Sequence, residues 1–147
     1  MLVKQLLPAI REQLVTISDD AALIHVAKLL QGRKTSLVVV CNSDGVMAGV
    51  ITKTDIIRQI SHCQGNICNT DTSSVMTRDV TFCNSDTLLR EAWSIMKKRG
   101  LKHIPVADEK LRPIGVLNAR HVIQALLDEV ENEEELLRDY VGGVGYQ

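Results

Sequence analysis

The chain has 147 residues, of which 45% are apolar and 3% are aromatic. This composition suits one compact domain, or two small repeats that share an aliphatic core. With 17 basic and 18 acidic side chains the formal charge is −1, which argues against a non-specific nucleic-acid binder. No apolar run approaches the roughly 18 residues of a membrane-spanning helix, and Arg11 and Glu12 interrupt the apolar stretch of a signal peptide too early. We therefore expect a cytoplasmic protein that binds neither nucleic acid nor membrane.

An amphipathic helix is predicted in each half of the chain, at about 21–31 and at about 86–98. In both segments apolar residues recur at the i, i+3, i+4 and i+7 positions of a helix that packs on a core. A short strand is predicted before each helix, where Leu14-Val-Thr-Ile in the first half resembles Asp79-Val-Thr-Phe in the second.

A buried strand is predicted after each of these helices, at 36–41 and at 103–107. A turn follows it, and the next strand is predicted to begin at Gly49 in the first half and at Gly115 in the second. A helix starts directly after each of these strands. The two glycines are 66 residues apart, so each half has the order strand, helix, strand, strand, helix.

The repeat predicts the fold class and the domain organisation. A unit of about 60 residues buries too little surface to be comfortably stable alone. We therefore expect an α/β (mixed α+β) fold in which two pseudo-symmetric repeats pack as one globule. The first repeat covers residues 1–60, a polar connector 61–74, the second repeat 75–127, and a C-terminal helix extension with its tail 128–147.

The C-terminal segment keeps a helical pattern from Arg120 to about Val141, and the glycines from Gly142 onward are expected to end it. Such a helix is longer than this small core can cover, so its tail packs on the globule or meets a partner subunit. We expect a homodimer, because exposed apolar stripes of this size usually mark partners. The predicted contacts avoid the acidic block and use Val122, Leu126, Val130, Leu137 and Tyr140.

The four cysteines are not expected to form disulfides in a reducing compartment. Cys63 and Cys68 lie near His62, which leaves two interpretations: a metal site, or a polar loop that happens to contain them. The loop is favoured and no metal is predicted, because structural zinc normally needs four ligands with recognisable spacing. The chain contains no Gly-rich phosphate loop, Gly-x-Ser-x-Gly elbow or His-Glu-x-x-His helix, which argues against an enzyme.

Three motifs identify a family. They are Gly49-Val-Ile-Thr-Lys-Thr-Asp-Ile, Lys102-His-Ile-Pro-Val, and Val75-Met-Thr just before the second repeat. In this order, and on a duplicated unit, they resemble a tandem pair of cystathionine-β-synthase (CBS) domains, or Bateman module, of the small stand-alone bacterial type. The resemblance extends from about Val3 to Leu127.

The resemblance implies a regulatory module without catalytic activity that needs no cofactor. Such pairs bind an adenine-containing ligand (AMP, ADP, ATP, NAD or S-adenosylmethionine) in clefts between the repeats, and they commonly dimerise. An effector protein would be the further partner, and the sequence does not name it. The alternative is a structural or dimerisation module with vestigial clefts.

A ligand site is predicted around Asp55, whose carboxylate can accept hydrogen bonds from both hydroxyls of a ribose. Thr52 adds a hydroxyl, and free N–H groups at the start of the following helix favour a phosphate oxygen. By resemblance, the aspartate of one repeat works with the middle strand of the other. That places Lys102 and His103 on the phosphate side, while Ile104, Pro105 and Val80 would form the wall for the base.

The same residues have a purely structural interpretation. Thr52 with an acid three residues later is an ordinary capping box. The second repeat has Asn118 and His121 at these places, so a cap is kept but the carboxylate is absent. In the second cleft, Thr35 and Ser36 are expected at the positions that Lys102 and His103 occupy in the first cleft. We therefore expect one competent cleft and one impaired cleft.

Overall fold

The computed structural model describes residues 1–31, 36–62 and 70–145, and the side chains as far as Val141. A short 3-10 turn at Val3–Leu6 precedes the helices and strands in the described part of the chain. The helices are α1 (Leu7–Glu12), α2 (Leu23–Leu30), α3 (Lys53–His62), α4 (Thr72–Val75), α5 (Leu89–Arg99) and α6 (Ala119–Gly145). The strands are β1 (Thr16–Ser18), β2 (Leu37–Cys41), β3 (Met47–Thr52), β4 (His103–Ala107) and β5 (Pro113–Asn118).

The strand pairing confirms the predicted repeat. In the first half β1 runs parallel to β2, and β2 runs antiparallel to β3. In the second half β4 pairs antiparallel with β5. The two hairpins have the same register at an offset of 66 residues, since Leu37 pairs with Thr52 and His103 with Asn118. The second strand of each hairpin begins two residues before the glycine at which we expected it to start.

The first strand of the second repeat is shorter than predicted. It is reduced to one bridge, in which Cys83 pairs in parallel with Val106. Beyond it the Asn84 side chain accepts a hydrogen bond from the N–H of Asp86 at 2.9 Å, and Thr87 Oγ1 accepts one from the N–H of Asn84 at 3.1 Å. These local bonds turn the backbone away from the sheet after a single paired residue.

Each repeat is completed by a segment that precedes the other repeat in the sequence. Ile10 of α1 is fully buried in the core of the second repeat, and Met76, directly after α4, is buried in the core of the first. A third apolar cluster joins the two sheets: it contains Val39 and Val50 from one repeat and Val116 from the other. The repeats therefore share one interior, as expected for units too small to be stable alone.

The sequence pattern did not predict α1 or α4. Pro8 lies in the first turn of α1, a position where proline favours a helix start, and was the available signal. Part of the predicted connector is ordered as α4, whose preceding segment pairs back through an Ala22–Asp71 bridge. The rest of the connector, residues 63–69, lies outside the described residues.

The long C-terminal helix is present as α6, but it continues to Gly145 and does not end before Gly142. Glycine lowers helix stability by about 1 kcal/mol per residue without removing the backbone N–H, so it weakens a helix more readily than it stops one. One predicted partner contact was wrong, because Val122 is fully buried in the chain's own core, while Leu126 is partly buried against that core. No helix among the described residues is long and apolar enough to cross a bilayer.

Leu111 in the β4–β5 turn has a positive φ of 60°, where the first repeat has Gly45 at the equivalent turn position with φ 78°. The left-handed region costs a non-glycine residue roughly 1–2 kcal/mol, and the Leu111 side chain is partly exposed. We expect Leu111→Gly to raise the free energy of unfolding by about 0.5–1 kcal/mol, since part of the gain is offset by the entropy of glycine in the unfolded chain. Urea denaturation of both proteins measures this, and a less stable variant would contradict it.

Candidate functional site

A cavity of about 540 Å³ lies between the two repeats, where the start of α3 faces the start of β4. Both repeats contribute to its wall. The polar lining residues include Thr52, Lys53, Asp55, Asp79, Lys102 and His103, and the apolar ones include Leu37, Val50, Val80 and Pro105.

Thr52 and Asp55 form a capping box at the start of α3. The N–H of Thr52 donates to Asp55 Oδ2 at 2.9 Å, the Thr52 hydroxyl donates to the same oxygen at 3.1 Å, and the Asp55 N–H donates to Thr52 Oγ1 at 3.3 Å. The structural interpretation of this motif is therefore present in the fold. It fixes the Asp55 carboxylate at the cavity wall in a defined orientation.

The capping box leaves one oxygen of Asp55 available. Among the described residues Asp55 Oδ1 meets only the guanidinium of Arg58, at 3.5 Å, and the Arg58 side chain is largely exposed. A surface pair of this length and exposure stabilises the protein little. Because a carboxylate has about four acceptor positions and the box uses two at Oδ2, Asp55 can cap the helix and accept further hydrogen bonds from a ligand.

Lys53 and Lys102 bring two ammonium groups to the cavity, one from each repeat. Within the described parts of the chain neither has a salt-bridge partner. Asp79 also lines the cavity. Charged side chains of both signs therefore surround the space, and the cations come from opposite walls.

His103 makes two side-chain contacts, one with Ser36 of the other repeat and one with Asn118 of its own repeat. Its Nδ1 lies 3.3 Å from Ser36 Oγ, and its Nε2 lies 3.4 Å from the Asn118 side-chain nitrogen. Burial, with a smaller contribution from the neighbouring Lys102 charge, lowers the pKa of His103 below its ordinary value of 6.5. At neutral pH the ring is therefore uncharged, and Lys102 and Lys53 supply the positive charge.

Two of the three residues predicted for the apolar wall lie at the cavity. Val80 and Pro105 line the cavity. Ile104 does not, because successive residues of a strand point to opposite faces, and Ile104 is fully buried in the core of the second repeat. Leu37 and Val50 provide the apolar surface that Ile104 was expected to provide.

The first-repeat residues equivalent to Lys102 and His103 lie one position later in the sequence than expected. Ser36 corresponds to Lys102, and Leu37 corresponds to His103. Ser36 and Leu37 also line the first cavity, and the part of Ser36 in the other cleft stays a prediction. Thr35 lies outside the described residues.

The start of α6 keeps a helix cap, as predicted. The Asn118 side-chain oxygen accepts a hydrogen bond from the Arg120 N–H at 2.8 Å. His121 occupies the place of Asp55, and its Nδ1 is buried without a hydrogen-bond partner in the described part of the chain. An imidazole there cannot reproduce the paired acceptors of a carboxylate.

The predicted site omitted Lys53, Thr54, Asp79 and Thr81, which also line the cavity. Lys53 and Thr54 lie inside the quoted Asp55 motif, so their position in the first turn of the helix was the available signal. Asp79 and Thr81 flank Val80 on an irregular segment, and only the tertiary packing of the two repeats brings them to the cavity.

The two interpretations of the cysteine-containing loop remain open, because Cys63 and Cys68 lie outside the described residues. Among the residues that are described, no three His, Cys, Asp or Glu side chains form a cluster that could hold a metal ion. Burial raises the pKa of the Cys83 thiol to about 12, which makes it unreactive as a nucleophile at neutral pH.

A comparison with protein families decides the assignment of the fold. The family model of the CBS domain matches the chain twice, at residues 3–62 and 73–128. The chain belongs to the CBS-domain family. It is a tandem CBS pair, and this confirms both the predicted family and the predicted fold class.

Known relatives of this CBS pair include parts of larger proteins. A homoserine O-acetyltransferase of Methanosarcina acetivorans is 30% identical over 107 residues, which are 73% of this chain and 19% of that protein. The chain thus spans only a small part of the length of that relative.

Solved structures match the CBS pair over nearly their whole length. The CBS-domain containing protein ATU1752 of Agrobacterium tumefaciens is 27% identical with a TM-score of 0.73, covering 85% of this chain and 98% of that one. The CBS domain pair of protein MJ0100, in complex with 5′-methylthioadenosine and S-adenosyl-L-methionine, is 22% identical with a TM-score of 0.71, covering 88% and 97%. The similarity to the MJ0100 pair shows that the two proteins share the same fold.

Proposed function

We propose that this CBS pair is a regulatory module that binds an adenine nucleotide (AMP, ADP, ATP or NAD) in the cavity between its repeats. The observation that carries the proposal is the composition of that cavity. It combines the Asp55 carboxylate of one repeat with the Lys102 ammonium of the other around an apolar wall. Binding would stabilise the contact between the repeats, and an effector protein in the cytoplasm would sense the change. No catalytic group is assigned.

Each part of a nucleotide has a matching group in the cavity. The free oxygen of Asp55 suits the ribose hydroxyls. The ammonium groups of Lys53 and Lys102 suit a phosphate. Val80, Pro105 and Leu37 suit the base. The adenosine derivatives bound by the MJ0100 pair support the adenosine part of this proposal.

A second candidate function is a structural or dimerisation module whose clefts bind nothing. The capping box favours it, because helix initiation alone explains why Thr52 and Asp55 are together. It does not explain why a lysine from each repeat, neither of them in a salt bridge within the described residues, lines the same cavity.

A thermal-shift panel with AMP, ADP, ATP, NAD and S-adenosylmethionine separates the two candidates. A ligand that binds only the folded state at 100 times its Kd stabilises that state by about 2.7 kcal/mol, so a clear rise in Tm is expected with at least one adenine nucleotide. GTP at the same concentration serves as a control for non-specific anion effects. No adenine-specific shift would support the structural module.

A homodimer joined through the end of α6 is expected. The side chains of Leu137 and Tyr140 are 64% and 73% exposed, and Val130, Leu136 and Val141 also expose apolar surface on this helix. Light scattering should give twice the 16.3 kDa mass of one chain for the intact protein. A chain ending after Leu127, and the double variant Leu137→Glu with Tyr140→Glu, should be monomeric.

A monomeric intact protein would contradict the dimer. If both shortened and substituted chains stayed dimeric, the dimer would not depend on this part of α6. Circular dichroism of the double variant controls for folding, since both substituted side chains are exposed and their replacement should leave the free energy of unfolding nearly unchanged.

A further inference from the structure

A continuous set of polar contacts leads from the cavity wall to the first turn of α6. Ser36 contacts His103, His103 contacts Asn118, and Asn118 caps the helix by accepting from the Arg120 N–H. The equivalent of His103 in the first repeat is Leu37, which cannot form such a connection. The connection therefore breaks the pseudo-symmetry of the two repeats at one point.

The cap determines the orientation of the Asn118 amide. Because its oxygen accepts from Arg120 N–H at 2.8 Å, its NH₂ group is the part that faces His103 Nε2 at 3.4 Å. An NH₂ group can only donate, so Nε2 must carry the lone pair. The proton of the neutral ring is then on Nδ1, where it donates to Ser36 Oγ.

We propose that His103 is a proton-dependent link between the ligand cavity and the start of α6, and that its protonation breaks the cap of that helix. A protonated ring has an N–H on both nitrogens, so Nε2–H would face the NH₂ of Asn118 and two donors would meet. Rotating the amide by half a turn satisfies the ring but removes the acceptor from Arg120 N–H. Without that rotation the cap stays and the His103–Asn118 hydrogen bond is lost instead, so the charged ring favours the rotated amide and with it the loss of the cap.

The charged and titratable groups near His103 influence whether its ring takes up a proton. Lys102 precedes it on the same segment, Lys53, Asp55 and Asp79 line the same cavity, and Arg120 and His121 lie in the first turn of α6. Without a ligand, burial and Lys102 keep the ring neutral near pH 7, because they lower its pKa. A phosphate dianion in the cavity would act in the opposite direction and favour the charged ring. This last step rests on the proposed function, whereas the tautomer and the cap do not.

Nuclear magnetic resonance of the full chain tests the link without any ligand. Two-bond proton–nitrogen spectra should show that neutral His103 carries its proton on Nδ1. The Arg120 amide signal should then titrate with the same midpoint as the His103 ring, below pH 6.5. A proton on Nε2 in the neutral ring, or an Arg120 amide that ignores the ring titration, would overturn the proposal.

Three variants separate this link from general effects of pH. His103→Gln can still accept from Asn118 but cannot take up a proton, so the Arg120 titration should disappear. Asn118→Asp keeps a good helix cap and accepts from a charged ring, so the His103 midpoint should rise by about one pH unit or more. His25→Gln, on α2, should leave both titrations unchanged. An unchanged His103 midpoint in Asn118→Asp would count against the contact.

Addition of AMP and of adenosine then tests the step that depends on the ligand. AMP should raise the His103 midpoint, and adenosine, which has no phosphate, should not. If AMP fails to bind while the ligand-free titrations behave as expected, the proposed function fails and the link to α6 stands. If AMP binds and the midpoint stays the same, the cavity is not coupled to α6 through His103.

Discussion

Replacing Asp55 by alanine should weaken adenine-nucleotide binding by roughly 10- to 100-fold or more. Each charge-assisted hydrogen bond to the ribose contributes about 1.5–3 kcal/mol, and every 1.4 kcal/mol is a factor of ten in Kd. Within the described parts of the chain Asp55 Oδ1 meets only the exposed Arg58, whose guanidinium cannot replace the carboxylate as an acceptor. Titration calorimetry on the wild type and the variant measures the change.

Asp55→Ala also removes half of the capping box, so stability must be separated from binding. The lost cap should cost about 0.5–2 kcal/mol of unfolding free energy. Asp55→Asn is the sharper variant, because an amide oxygen can still accept from the Thr52 N–H while the negative charge is gone. His121→Ala, at the equivalent place in the other repeat, is the matched control and should leave binding unchanged. Equal affinities in wild type and Asp55→Asn would remove Asp55 from the ligand site.

Replacing Gly49 by alanine should strongly destabilise the fold. A Cβ at Gly49 would lie 2.7 Å from the Thr77 carbonyl oxygen and 2.7 Å from Met76 Sδ. This is the place where β3 and the segment after α4 exchange two backbone hydrogen bonds, between Val50 and Thr77. Extra atoms in a close-packed interior cost about 1–3 kcal/mol, and a backbone carbonyl yields less than a side chain, so we expect the upper part of that range.

Gly115 provides the symmetric test, since a Cβ there would lie 2.8 Å from the carbonyl oxygen of Ile10. Gly115→Ala should therefore be about as destabilising as Gly49→Ala. Gly100→Ala is the matched control: a Cβ would meet nothing within 4 Å, and only the positive φ of 66° opposes it, at about 1 kcal/mol. Chemical denaturation of the three variants ranks them, and a Gly49→Ala variant no less stable than Gly100→Ala would contradict the packing described here.

The repeat could be predicted because both halves carry the same periodic pattern. Strand β4 coincides with its predicted range, and α2 and α5 lie within a few residues of theirs. The crossing of segments between repeats could not be predicted in this way. Ile10 and Met76 could each pack in the core of their own half or in that of the other half, and the local periodicity is the same in both cases. Which core they enter depends on long-range packing.

Part of the site could also be predicted, in this case from the family resemblance. The family resemblance placed Asp55 and Lys102 on opposite walls of one cleft, and the structure brings both to the same cavity. Strand alternation would have directed Ile104 to the core, since it lies between His103 and Pro105, which line the cavity. The contact between Ser36 and His103 depends on the relative position of two sheets, for which the sequence contains no local signal.

The central claim is that one cavity of the pair, the one around Asp55, binds an adenine nucleotide. Calorimetric titration of the intact chain, with whichever nucleotide gives the largest thermal shift, tests it most directly. The expected result is one nucleotide per chain, because the equivalent position in the second repeat has His121 in place of the carboxylate. Two equivalent sites per chain, or no measurable binding of any adenine nucleotide, would contradict it.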